Sequence, residues 1–191
     1  MQILPAAPVH APLIGRAVVM AIGDEITRNL AGPHHTAADV EALFASLAAR
    51  DDTQYSFRNA LVAVDDDGAV AGVLVGYDGA GLLRMRRIFF SEAAKQIGLD
   101  FGPDADEMAP ETTPDEFYLD TLAVFPQYRG RGVARSLIAA AADRAADCGK
   151  PLGLLVDKTN TRARALYDSI GFRPVDEREF AGELMDHMQL A

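Results

Sequence analysis

The spacing of apolar residues changes period several times along the chain, and each change marks an element. Val9, Leu13, Ala17 and Met20 recur at intervals of three and four, which predicts an amphipathic helix over Val9 to Met20. Val40, Leu43, Phe44 and Leu47 do the same over Ala37 to Ala49, where Thr36 followed by Asp39 reads as a helix start. Ala60 to Val64 and Ala69 to Tyr77 read as strands joined by the turn Asp65-Asp66-Asp67-Gly68. Helical spacing returns over Leu82 to Ile97, with Leu82, Met85, Phe89 and Ala93 on one side. Phe117 to Phe125 then reads as a strand, Gly132 to Asp147 as a helix, and Leu152 to Asp157 as a strand buried on both faces. Asn160 to Ile170 predicts a helix carrying Ala163, Leu166, Tyr167 and Ile170 along one face, capped by Gly171. Phe172 to Phe180 and Leu184 to Leu190 predict a closing hairpin around Ala181-Gly182. This order predicts one α/β domain over residues 1–191 with a mixed sheet.

Between Gly98 and Glu116 no period holds. Seven acidic residues and three prolines stand there without a Lys or Arg, which predicts a mobile, solvated loop: a connector, or a lid or cation-attracting rim. The whole chain is acidic, with net charge −10. That balance disfavours nucleic acid, which needs a basic footprint, and is compatible with a cationic partner. The longest apolar run, Leu152 to Val156, is too short to span a bilayer. The single cysteine, Cys148, forms no internal disulfide, and a cytoplasmic setting is expected.

The chemistry concentrates where the strand ending at Pro126 turns through Arg129-Gly130-Arg131-Gly132 directly into a helix. Glycines let the backbone turn tightly and admit an anion without a Cβ in its way. The unpaired N–H groups of the first helical turn then face that anion. This geometry predicts a phosphate or pyrophosphate site. A Walker loop is excluded by the missing Gly-Lys-Ser/Thr ending. A dinucleotide fingerprint is disfavoured by Arg135 at its third glycine and by the turn's late place in the chain. Charge gives an independent indication. Tyr128 to Arg164 holds eight basic residues against three aspartates, net +5 in a chain whose remainder is −15, a local excess that suits a polyanion.

Arg129-Gly130-Arg131-Gly132-Val133-Ala134 resembles the Arg/Gln-x-x-Gly-x-Gly/Ala signature of the GNAT superfamily of N-acetyltransferases. Leu119 to Pro126 is similar to the strand that precedes it, and Asn160, Ala163, Ala165, Leu166, Tyr167, Gly171 and Phe172 to the later motif. The resemblance covers Phe117 to Phe172. It implies a GNAT-like (acyl-CoA N-acyltransferase) fold, a mixed central sheet flanked by helices. It also implies acetyl-CoA as cosubstrate, no metal, an amine acceptor and a possible homodimer. The stretch Leu82 to Glu116 is longer than the family's usual link, so the acceptor stays open.

By the same resemblance, the amides of Gly130, Arg131, Gly132, Val133, Ala134 and Arg135 hold the pyrophosphate, with Arg129 alongside. A bulge or splay near Leu122, Ala123 and Val124 frees backbone groups for pantetheine, and the Val124 amide is a candidate oxyanion donor. An amine of lysine type needs a base at neutral pH. Asp120 is the first candidate, with a water chain or Glu116 as alternatives, and a structural hydrogen bond is Asp120's other role. Tyr167 stands at the family's position for the acid that protonates the departing thiolate, and also lies in the apolar register. Asn160 is a pantetheine contact, an N-cap, or both. His34 and His35 lack metal-site spacing and are expected in a loop. His187 faces the substrate or is structural, and covalent catalysis by Cys148 is not expected. The competing function on the same fold is a CoA-binding sensor without turnover.

Overall fold

The computed structural model describes residues 1–190, the side chain of Asp106 excepted; Ala191 lies outside the described residues. Seven strands form one sheet: β1 (Gln2–Pro5), β2 (Ala60–Val64), β3 (Val70–Asp78), β4 (Phe117–Val124), β5 (Leu152–Asp157), β6 (Arg173–Phe180) and β7 (Glu183–Leu190). Their spatial order is β1-β2-β3-β4-β5-β7-β6. All neighbours are antiparallel except β4 and β5. Five α-helices accompany them: α1 (Ala11–Ala31), α2 (Ala37–Ala48), α3 (Leu82–Ile97), α4 (Val133–Asp147) and α5 (Thr161–Ile170). The mixed sheet flanked by helices is the expected class.

Most elements form where their periodicity places them, and local chemistry sets their ends. Thr36 and Asp39 make a capping box at α2: the Thr36 hydroxyl accepts from the Asp39 amide at 3.3 Å and the Asp39 carboxylate accepts from the Thr36 amide at 2.7 Å. At the β2–β3 turn, Asp65 accepts from the amides of Asp67 and Ala69. Asn160 caps α5 by accepting from the Ala163 amide at 3.1 Å.

Three expectations need correction. The first helix starts at Ala11, not Val9, and continues past Met20 through a kink at Gly23. Pro12 sets that start, because proline is tolerated only in a helix's first turn. The buried stripe is therefore Ile14, Ala17 and Val18, and Val9 is exposed. Strand β1 was not expected at all. Finally, the 98–116 segment is not simply solvated. Glu111, Thr112 and Glu116 are buried, and the segment packs against the C-terminal half of the sheet.

Two apolar cores sandwich the sheet. One joins α1, α2 and α3 to Val73, Val75, Tyr77 and Tyr118. The other joins α4 and the end of α5 to Leu74, Leu119, Leu154 and Met188. Strand β4 lies between them and carries the feature that opens the sheet. Thr121 pairs with Val75 and Leu119 with Gly76, so Asp120 is the extra residue of a bulge. On its other edge β4 pairs with β5 only through Phe117, Tyr118 and Leu119. From Asp120 onward the two strands diverge. The bulge thus stands two residues before the expected Leu122–Val124, and the splay includes that segment.

Candidate active site

The divergence of β4 and β5 leaves a cleft of roughly 600 Å³. Its floor is Leu122, Ala123 and Val124. One wall is the turn and the start of α4, with Arg129, Gly130, Gly132, Val133, Ala134 and Arg135. Asn160 and Tyr167 of the α5 region form the other wall. Every one of these residues is expected from the sequence. Arg131 is the exception: it does not line the cleft, and its guanidinium lies 5.6 Å from the Tyr128 ring centre. Its amide remains part of the turn.

Gly130 and Gly132 adopt φ of 76° and 81°, a left-handed conformation that costs a side-chain-bearing residue strain. Gly132 is the N-cap of α4 and offers no side-chain cap. Among the described residues, no oxygen accepts from the amides of Gly130 through Arg135; the next amide, Ser136, donates to the Gly132 carbonyl. Six consecutive N–H groups therefore stand at the positive end of a fifteen-residue helix, the arrangement that binds phosphate. Arg135 donates to the Ser169 hydroxyl at 2.6 Å, which ties the two walls together. Arg129 donates to the Val124 carbonyl at 3.2 Å and holds the turn over the strand end.

The floor supplies further free donors. The Phe125 amide donates to Ala71 on β3. Alternation along an antiparallel strand then turns the amides of Leu122 and Val124 to the opposite edge, where β5 has departed. Tyr167 is largely buried against Phe172, ring centres 5.5 Å apart. Its hydroxyl makes no hydrogen bond to the described residues. Burial pushes the phenol up to about 12, so it keeps its proton and remains a donor.

A family model, that of the acetyltransferase (GNAT) family, matches residues 25–172. The chain belongs to the GNAT family. Among solved structures, an acetyltransferase 30% identical superposes with a TM-score of 0.77 over 99% of this chain and 98% of that one. An N-acetyltransferase from Staphylococcus aureus Mu50, 21% identical, gives 0.79 over the whole of both chains, a likeness of fold. A curated relative, an uncharacterized protein of Mycobacterium leprae, is 42% identical over 67 residues; these are 35% of this chain and 18% of that protein. The matched stretch thus spans less than a fifth of that relative. No helix of the described residues is long and apolar enough to cross a membrane.

Two carboxylates of the β4 region, Asp120 and Glu116, are the expected candidates for the base. Asp120, the bulged residue, does not line the cleft. It accepts from the Tyr77 hydroxyl at 2.8 Å and the Thr121 hydroxyl at 2.9 Å. Burial raises its pKa, and these two bonds only partly offset that. Glu116 has no such freedom. It accepts from Thr112, the Thr113 amide and Gln189 at 2.6, 3.1 and 2.8 Å, and lies 2.8 Å from Nε2 of His187. Burial pushes its carboxyl up, but the bonds from His187, Thr112 and Gln189 outweigh it and bring the pKa to about 2. So weak a base, with its oxygens occupied, is not the proton acceptor. His187 is likewise structural: it is buried, with its other ring nitrogen 2.8 Å from Asp176.

Five further residues outside the expected site set line the cleft: Met20, Tyr128, Arg162, Ala163 and Leu166. Arg162 is one of the counted basic residues, and Ala163 and Leu166 are helix-face positions of the later motif. Nothing local marked Met20, which reaches the cleft from α1.

Proposed function

We propose that the protein transfers the acetyl group of acetyl-CoA directly to a primary amine. The observation that carries this is the set of unpaired amides of Gly130, Gly132, Val133, Ala134 and Arg135, all residues that line the cleft between β4 and β5. In this account those amides hold the pyrophosphate. Pantetheine lies along the free edge of Leu122 to Val124, within reach of Asn160. The Val124 amide donates to the thioester carbonyl and stabilises the oxyanion that forms. The amine first loses a proton to a carboxylate. Its nitrogen lone pair then forms the C–N bond, and the carbonyl π pair moves to oxygen. When that pair returns, the C–S bond breaks and sulfur takes the Tyr167 proton. The phenolate is reset by the second nitrogen proton through solvent, so one proton leaves per turnover.

The test pairs ligand profiling with turnover. A ligand that binds only the native state raises its melting temperature. Acetyl-CoA and CoA are expected to do so, and ATP and NAD are not. Release of free CoA thiol in the presence of a primary-amine panel is the expected turnover signal. Equal stabilisation by ATP would refute the cofactor assignment. Acetyl-CoA binding without thiol release from any amine would leave a sensor.

A further inference from the structure

The helix that carries Tyr167 is lightly held. Among the described residues of α5, Tyr167 alone is buried. Ala163, Leu166 and Ile170 are only partly buried against the core that joins α4 to the sheet. Arg162, Ala163, Leu166 and Tyr167 line the cleft, so this part of α5 faces a cavity. One buried side chain fixes a helix less firmly than a continuous buried stripe does, which gives weight to the polar bonds that reach α5 from other elements. Arg164 donates to Asp186 of β7.

A second bond joins the two walls of the cleft. Arg135, in the first turn of α4, donates from Nη2 to the Ser169 hydroxyl at 2.6 Å, and that hydroxyl donates onward to the Leu166 carbonyl at 2.6 Å. A hydroxyl has one hydrogen, and this one goes to Leu166, so Ser169 is a pure acceptor toward Arg135. Such a chain is polarised in one direction, which strengthens each of its bonds. It ends on the backbone of Leu166, the residue beside Tyr167. Arg135 also contributes one of the unpaired amides of the turn. The same residue thus offers its backbone to the diphosphate and grips the helix of the acid with its side chain. Ser169 does not itself line the cleft, so any effect it has on the reaction passes through another group.

We propose that Arg135 and Ser169 are positioning residues: their bond sets α5 in register with the cofactor turn and so holds the Tyr167 hydroxyl at the departing sulfur. This rests on the acetyl-transfer reading above. A proton donor acts only within hydrogen-bond reach of the atom it serves, and a misplacement of about 1 Å can cost on the order of a hundredfold in rate. The contact of Tyr167 with Phe172 does not set that register, because Phe172 lies only two residues beyond α5 and moves with it. The Arg135–Ser169 bond does, because its partners stand on different helices, 34 positions apart.

The test uses Ser169→Ala in the full chain, with Ser169→Thr as the conservative variant, since threonine keeps a hydroxyl able to bond both partners. With acetyl-CoA and n-butylamine, thiol release is expected to show kcat of Ser169→Ala reduced about tenfold. CoA affinity by calorimetry should be unchanged, and Ser169→Thr should stay close to wild type. In a Tyr167→Phe background, Ser169→Ala is expected to cost nothing further, the non-additivity of residues that act through one group. A second readout needs no acceptor: carbon-13 NMR of labelled tyrosine, in which the Tyr167 resonance is the one missing from Tyr167→Phe. In the CoA complexes that resonance is expected to move in Ser169→Ala and to return in Ser169→Thr. A loss of kcat that survives in full in Tyr167→Phe, a fall in CoA affinity with kcat intact, or a Tyr167 resonance unmoved by Ser169→Ala overturns the positioning role. Acetyl-CoA that fails to bind the wild type, or a kcat indifferent to Tyr167→Phe, would instead bring down the parent reading, and this role with it.

Discussion

Replacing Gly153 by alanine tests how the acidic segment is held. A Cβ on Gly153 would sit 1.9 Å from Oε2 of Glu116 and 2.5 Å from its carboxyl carbon. The strand cannot retreat, because Gly153 is paired to Tyr118 on one side and Gln189 on the other. The carboxylate must therefore leave. Hydrogen bonds to a charged group are worth about 1.5–3 kcal/mol each, and Glu116 accepts three besides its contact with His187. Such terms do not add; breaking a buried charged network at one partner costs about 3–5 kcal/mol. Urea unfolding at neutral pH measures this directly as a fall in midpoint. A loss below about 1 kcal/mol, the size of an ordinary substitution, would refute the claim that Glu116 anchors this segment. In the same variant acetyl-CoA is expected still to raise the melting temperature, because neither Glu116 nor Gly153 lines the cleft.

Three further outcomes follow. Tyr167→Phe keeps the ring packed on Phe172 but removes the donor, so kcat should fall on the order of a hundredfold with acetyl-CoA affinity held, as read by thiol release and calorimetry. Gly132→Ala places a Cβ in a left-handed backbone at a cost of about 1–2 kcal/mol and should weaken acetyl-CoA binding by titration calorimetry. Stability should bend twice with pH. Glu116, lowered from 4.5 to about 2, contributes stability above 4.5 that is lost as pH falls toward 2. Glu111, raised from 4.5 to about 7, favours the folded state when protonated, and that contribution is lost as pH rises from 4.5 through 7. Each limb is on the order of 3 kcal/mol, and Glu116→Gln and Glu111→Gln should each flatten its own limb in unfolding measured across pH.

What could be read from the sequence was local. The capping box at Thr36, the glycine turn before α4 and the wall residues Asn160 and Tyr167 all depend on neighbours within a few positions. Val9 mimics the apolar period of the first helix, but Pro12 fixes its start at Ala11. The four-residue strand β1 is too short to carry a period of its own, and only pairing with β2 makes it a strand. The acidic segment was misjudged for a physical reason. Its charges looked solvated because the groups that bury them are remote: His187 and Gln189 lie 71 and 73 positions from Glu116. Glu111 was one of seven acidic residues, and nothing in the segment distinguished it from those that face water.

A crystal structure with CoA bound decides whether the amides of Gly130 through Arg135 hold a diphosphate. Pyrophosphate oxygens are expected at hydrogen-bond distance, about 2.7–3.2 Å, from several of those nitrogens, with pantetheine running along Leu122 to Val124 toward Tyr167. Pyrophosphate density anywhere else on the protein, with the α4 turn vacant or its amides closed by a neighbouring oxygen, would contradict it.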